Sequence, residues 1–260
     1  MKQALKAAVA AAALATATVA SATPSTDFWT PATTYVQPFL VPHLTYDTYF
    51  GEPGAYPIDT GITVGVLPFQ KVQGEVGFDL FYGPGQSFTK NTFQLNAKLA
   101  IPEGSFGEYF PGISLGVMNV GFKKDVSDYY TIHGFVAKTF PVVGNLGVGA
   151  YYGAGSKLLW TGSDSKVRRA GALAAWTSPD INVKVTGLDK ILIVADVMTG
   201  KNILGAGGPG IYFYFTPAID VLVGPVFFFD KALQPGGSSV LWTVQLDVDF
   251  DLRKPAAPAK

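Results

Sequence analysis

The chain has 260 residues, of which 48% are hydrophobic, 13% aromatic and only 15% charged, where a soluble domain usually carries about a quarter charged residues. Its 19 basic and 19 acidic side chains cancel, which argues against a nucleic-acid partner, since that would want a strongly basic face. The absence of cysteine excludes a disulfide scaffold and any thiolate metal site.

Met1-Lys2-Gln3-Ala4-Leu5-Lys6 is a short basic head, Ala7 to Val19 is apolar and uncharged, and Ala20-Ser21-Ala22 offers the small-x-small pattern of a cleavage site. In that order the three parts predict a secretory signal peptide over 1–22, too short to span a bilayer. After it, no apolar run reaches the roughly 18 residues of a transmembrane helix. Backbone groups in hydrocarbon must be bonded internally, and only helices or closed barrels achieve that. The expectation is therefore an all-β fold: a closed, antiparallel, up-and-down transmembrane β-barrel of about 12 strands in the bacterial outer membrane.

Residues 23–42, rich in Thr and Pro, fit a periplasmic segment, a plug in the lumen or a strand extension. The barrel is expected over 43–252, with strands at 43–50, 60–69, 72–83, 92–102, 113–122, 129–139, 142–153, 169–177, 189–199, 207–216, 218–230 and 240–252. Gly-Glu-Pro-Gly at 51–54, Gly-Pro-Gly at 83–85, Thr216-Pro217 and Gln-Pro-Gly-Gly at 234–237 separate them. Alternation is strongest in Trp242-Thr243-Val244-Gln245-Leu246-Asp247-Val248-Asp249-Phe250, where every second residue is apolar and so shares one face. Thr92 to Leu99, Glu75 to Tyr82 and Asn145 to Tyr152 repeat it. An even strand number puts both barrel ends in the periplasm. The tightest links, at Gln70-Lys71, Pro141 and Thr216-Pro217, then fall on that side, and the longest, near 154–168, falls outside. The links at 103–112 and 178–188 are long for periplasmic turns. Lys190 to Ala195 and Asp220 to Phe229 are apolar on both faces, which predicts a partly apolar lumen or a plug behind them. The tail, residues 253–260, is predicted to be disordered.

With apolar faces outward, the inward set contains Asp47, Glu75, Asp79, Gln94, Asn96, Lys98, Asp196, Thr243, Gln245, Asp247 and Asp249. It is mainly acidic, and a carboxylate-lined pore would favour cations or neutral polar solutes. Lys157, Lys166, Arg168 and Arg169, in or beside the longest outer loop, are candidates to meet lipopolysaccharide phosphates. Lipid and lipopolysaccharide of the outer membrane, and the barrel-assembly machinery during biogenesis, are the expected partners.

Chemistry is sparse. His43 and His133 are the two histidines, no Gly-x-Ser-x-Gly elbow occurs, and neither histidine has a serine cluster around it in sequence. Asp247, Asp249 and Asp251 alternate along one strand, about 7 Å apart, too far for all three to hold one cation unaided. The Gly-rich run from Gly205 to Gly210 lacks the Gly-x-x-x-x-Gly-Lys-Ser/Thr spacing of a phosphate loop. No catalytic residue, metal or cofactor is expected.

Trp29 to Phe39, His43 to Phe50, Gly200 to Ala206, Tyr212 to Pro217 and the closing Val244 to Phe250 together resemble a family of poorly characterised, porin-like outer-membrane β-barrel proteins. The resemblance covers most of the chain after residue 22 and implies a barrel with an outer-membrane address. Barrels of this kind commonly end on an aromatic residue. Here Phe250 is followed by ten more residues, a departure from that pattern. Three functions follow as expectations: a narrow channel for cations or small neutral polar solutes, a closed-lumen structural or assembly barrel, and a lipid-modifying enzyme that would need a serine beside His133.

Overall fold

In the computed structural model of the chain, residues 26–51, 58–82, 93–124 and 127–253 are described. The signal peptide expected at 1–22, the loop signals at 52–54 and 83–85 and the tail after Arg253 lie outside the described residues.

The strands are β1 (Pro42–Gly51), β2 (Ile58–Gly65), β3 (Gln73–Tyr82), β4 (Phe93–Ile101), β5 (Gly112–Val120), β6 (Tyr129–Phe140) and β7 (Gly144–Gly155). They continue with β8 (Ala170–Thr177), β9 (Ile181–Val185), β10 (Leu188–Met198), β11 (Ala206–Thr216), β12 (Ile219–Phe228) and β13 (Val240–Asp249). All pairings between these strands are antiparallel. β1 pairs with β13 and β10 pairs with both β8 and β11, so twelve of the strands close into an up-and-down barrel. Closure leaves the wall without an edge, which a sheet in hydrocarbon requires.

β9 departs from the expected twelve. It continues the line of β8 past Ser178-Pro179-Asp180 and pairs with the first residues of β10, Ile191 opposite Ile181. The link read as long at 178–188 is thus a hairpin turned at residues 186–187, which extends beyond the barrel wall. Pro179 cannot donate to a ladder, which explains why the strand is interrupted there.

Links 66–72, 102–111, 141–143, 186–187 and 217–218 lie at the end that holds both barrel termini, here the turn end. The opposite, loop end carries links 156–169, 199–205 and 229–239 and the strand ends Gly51, Ile58, Tyr82, Phe93, Val120 and Tyr129. The link expected to be tightest at Gln70-Lys71 is longer, because β2 stops at Gly65. There Phe39 forms a parallel bridge to Gly65 and the Leu40 amide donates to its carbonyl at 3.0 Å, so the incoming chain lies beside the end of β2 before β1 begins.

Side chains alternate across the wall. Outward positions from Leu44 on β1 to Val248 on β13 are apolar, small or hydroxyl-bearing within the wall. The charged exception, Lys138, sits near the turn end of β6 and meets Glu103 at 2.7 Å. Leu99, Leu115 and Val148 are exposed on this outer face at 53%, 61% and 67%. Phe140, Phe215 and Phe250 stand near the turn end and Phe50, Phe93, Phe227 and Trp242 near the loop end, all exposed. An apolar belt between two aromatic girdles is the surface a barrel presents to a bilayer.

Candidate functional site

The interior divides into two unlike halves, and residues 26–41 make the division. This segment runs inside the barrel as a tongue before it joins β1. Asp196 on β10 holds its tip: carboxylate Oδ2 accepts from the amides of Phe28 (3.1 Å), Trp29 (3.0 Å) and Thr30 (2.8 Å) and from the Thr30 hydroxyl (2.9 Å). Gln245 donates to the Phe28 carbonyl, and the Tyr212 hydroxyl to that of Asp27. Farther along, the Ser114 hydroxyl donates to the Thr33 carbonyl, and the Gln37 amide donates to Glu75 Oε2 at 2.7 Å.

On the β10–β13 side the tongue packs tightly. Phe28, 1% exposed, sits among Val194, Tyr212, Leu222, Val226, Phe228 and Leu241. Its ring lies over a floor where Gly210 and Gly224 carry no side chain. A Cβ added at either would come within 2.8 or 3.0 Å of the ring. Trp29 is edge-on to Tyr49 and to Phe228, each at 5.5 Å. This explains the doubly apolar strands: the inward faces of β10 and β12 bury against the tongue while their outward faces meet lipid.

A second apolar cluster, on β6 to β8 and the loop end of β10, is roofed at the loop end. Trp160 in link 156–169 is fully buried beside Tyr151 and over Gly153, and its indole donates to the Ala154 carbonyl. Asn202 ties the neighbouring link down, donating to Tyr151 Oη and the Arg168 carbonyl and accepting from the amides of Leu204 and Gly205.

On the β1–β6 side a cavity of about 190 Å³ remains, lined by polar residues of the wall, by apolar ones such as Phe81, Val117 and Met198, and by Phe28, Trp29 and Pro31 of the tongue. Strand register brings its groups together. Asp47 on β1 stands directly opposite Asp59 on β2, and Asp79 on β3 is opposite Gly61. Gly61 matters because a Cβ there would lie 2.4 Å from Asp79 Oδ1, so the missing side chain makes room for that carboxylate. Asn96 donates to Asp79 Oδ2 at 2.5 Å and Thr45 to Asp47 Oδ1 at 2.8 Å. Glu75 and Lys98, both 4% exposed, form a buried ion pair at 3.2 Å. His43 bridges Asp247 (Nε2, 3.1 Å) and Asp249 (Nδ1, 2.9 Å), and Asp220 faces Asp247 across β12 and β13. Such buried charges persist only when paired or hydrogen-bonded. Yet Asp59 Oδ1, Asp247 Oδ2 and both Asp220 oxygens have no hydrogen-bond partner.

Of the residues read as inward from the sequence, Gln94, Asp196, Gln245, Asp247 and Asp249 are buried, as are Glu75 and Lys98, and Thr243 is fully so. Asp47, Asp79 and Asn96 are partly buried on the cavity wall. Asp196, Glu75 and Gln245 also bond the tongue, and of the three Asp196 alone is absent from the cavity lining. Sequence reading missed Asp59, Asn119 and Asp220. Asp59 lies just before the expected start of its strand. Asn119 (φ 58°) sits at a bulge between β4 and β5, where its side chain bonds Gln94 Oε1. Asp220 begins an inward row of Leu222, Val226 and Phe228, whose apolar character hid the alternation.

In and beside link 156–169, Arg168 grips Asp164 through two bonds of 2.7 and 2.6 Å, and Arg169 donates to the carbonyls of Gly153 and Gly155. Lys157 and Lys166 are exposed. His133 faces inward at 3% exposure, with Gly116 and Tyr151 as cross-strand neighbours, so no serine stands opposite it. Among the described residues no group of three or more His, Asp or Glu side chains is arranged to hold a metal ion.

A closed wall with a lipid-facing belt and a lumen narrowed by its own N-terminal segment define a transmembrane β-barrel with a constricted polar interior. No family model matches the chain, and neither does any curated protein. Among solved structures, it is similar to an outer membrane channel from Pseudomonas putida F1 at 10% identity, covering 85% of this chain and 99% of that one with a TM-score of 0.46. It is also similar to the NanC porin, at 10% identity over 81% of this chain and 100% of that one, TM-score 0.48. A mutant of the Rh. blastica porin gives 9% identity over 81% and 99%, with a TM-score of 0.31.

Proposed function

We propose that this barrel is a narrow outer-membrane channel for cations and small neutral polar solutes. One observation carries the reading: the space left beside the tongue is walled by carboxylates that outnumber the basic groups facing them. Asp47, Asp59, Asp79 and Asp247 line it, whereas Lys98 is committed to Glu75 and His43 to two aspartates. Fixed negative charge in a constriction of low dielectric concentrates cations and repels anions. The exposed amines of Lys157 and Lys166 are the groups available at the outer rim for lipopolysaccharide phosphates.

Planar-bilayer recording of the purified protein tests this reading. A conductance whose reversal potential in a salt gradient shows cation preference is expected. That preference should weaken at least twofold in Asp247→Asn/Asp249→Asn. Absence of any conductance across voltage and salt would sink the channel reading. It would favour the second one, a closed barrel that acts through partners. The apolar packing of Phe28 and the roof under Trp160 are what speak for that alternative.

A further inference from the structure

The cavity has a polarity of its own that a general cation filter does not need. Asp47, Asp59 and Asp79 converge around Gly61, with Asp47 and Asp59 as direct cross-strand partners. Like-charged side chains directly opposite each other destabilise a sheet. Thr45 and Tyr49 meet Asp47, Asn96 meets Asp79, and among the described residues no ion pair reaches any of the three. Asp59 Oδ1 is buried without a partner. Independently of this cluster, Asp247 lines the same cavity at 1% exposure with its Oδ2 also unpartnered, so acceptor capacity is left over on two sides. Beside the carboxylates, and lining the same cavity, is an aromatic pair, Trp29 edge-on to Tyr49 at 5.5 Å.

We propose that this bowl is a binding site for a small primary alkylammonium ion, with its NH3 group on Asp47, Asp59 and Asp79 and its alkyl part against Trp29 and Tyr49. Three donors on one compact cation match three carboxylates that lack a cationic partner. The aromatic faces favour both the carbon chain and a nearby positive charge. The volume, about 190 Å³, limits the ligand to a few carbons. The assignment rests on the channel reading for the route by which the amine arrives.

Titration calorimetry of the folded barrel in detergent, with n-butylammonium as probe, tests the site. Butylammonium is expected to bind, tetramethylammonium, which has no N–H, at least tenfold more weakly, and butanol and sodium not measurably. In Asp59→Asn/Asp79→Asn, a nearly isosteric change, butylammonium affinity should fall at least tenfold. The proposal is overturned if the wild-type protein binds tetramethylammonium or sodium as tightly as butylammonium, or if the folded variant binds as the wild type does. Should the variant not fold, the comparison of the four probes on the wild-type protein decides. Bilayer recording separates the two readings. Conductance without butylammonium binding removes the site and leaves the channel. Binding without conductance removes the channel and leaves the site.

Discussion

The two sides of the lumen use the same wall differently. On the β10–β13 side, glycines at 210 and 224 make the wall thin, and a phenylalanine from the tongue fills the space. On the β1–β6 side a glycine at 61 also makes room, but for the carboxylate of Asp79, and a cavity remains. One half is therefore held by burying apolar surface, at about 25 cal/mol per Å². The other is held by strand pairing and by polar bonds that leave acceptors over. A barrel of this size need not choose between a filled interior and an aqueous one, because its N-terminal segment can fill half.

The largest expected effect is at the hinge between the halves. Asp196→Ala removes the acceptor for three backbone amides and a hydroxyl, leaving buried donors unsatisfied at about 1–3 kcal/mol each. The tongue should leave the wall. Proteolysis is expected between Thr26 and Val41 in the variant and not in the wild type, and channel conductance should rise at least twofold. Asp196→Asn keeps an acceptor and should show much less of both. Equal conductance in wild type and Asp196→Ala, with the tongue demonstrably cut, would show that the tongue does not set the bore.

The roof over the second apolar cluster, on β6 to β8, gives the next effect. A Cβ at residue 153 would lie 2.1 Å from the Trp160 ring, so Gly153→Ala should push the indole out of its pocket. Loss of a buried aromatic costs about 3–5 kcal/mol when the side chain is deleted outright. Displacement should cost part of that. A red shift of tryptophan emission and new cleavage within 156–169 are the expected signs, with the barrel's β-sheet spectrum unchanged. An unshifted spectrum would mean that Trp160 is not what closes this end.

These two positions also show what could be read from the sequence. The wall was legible because each strand alternates against two unlike media, and the inward rows of β4 and β13 follow directly from that pattern. The tongue was not, since residues 26–41 have no period and are held by backbone amides, whose bonding no side-chain pattern reports. Its shadow was visible, however, in the doubly apolar strands that it covers. In the cavity, Asp79 and Asp247 stood out as acids between apolar neighbours. Asp59 became a wall residue only through the register that sets it opposite Asp47. Asn119 depends on a bulge, which shifts facing by one residue and defeats alternation.

The smallest effect belongs to the rim of the polar side, where the latch is an ion pair near the surface and not a buried anchor. Glu103, in link 102–111, accepts from Lys138 at 2.7 Å and from the Thr139 amide at 2.9 Å. Partial burial pushes its carboxyl up, but the hydrogen bonds from Lys138 and Thr139 outweigh burial and hold it below the usual glutamate range. A lowered folded-state pKa means that its stabilisation is complete above the unfolded value, about 4.3, and is lost as pH falls through the folded value. Hydrogen-exchange protection of the Thr139 amide should therefore stay level from neutral pH down to about 4.5 and decline below it. In Glu103→Gln the decline should vanish while Asp196 still holds the tongue. A global loss of protection in acid, shared by Thr30 and Thr139, would contradict this separation, because it would mean that the rim and the buried anchor fail as one unit.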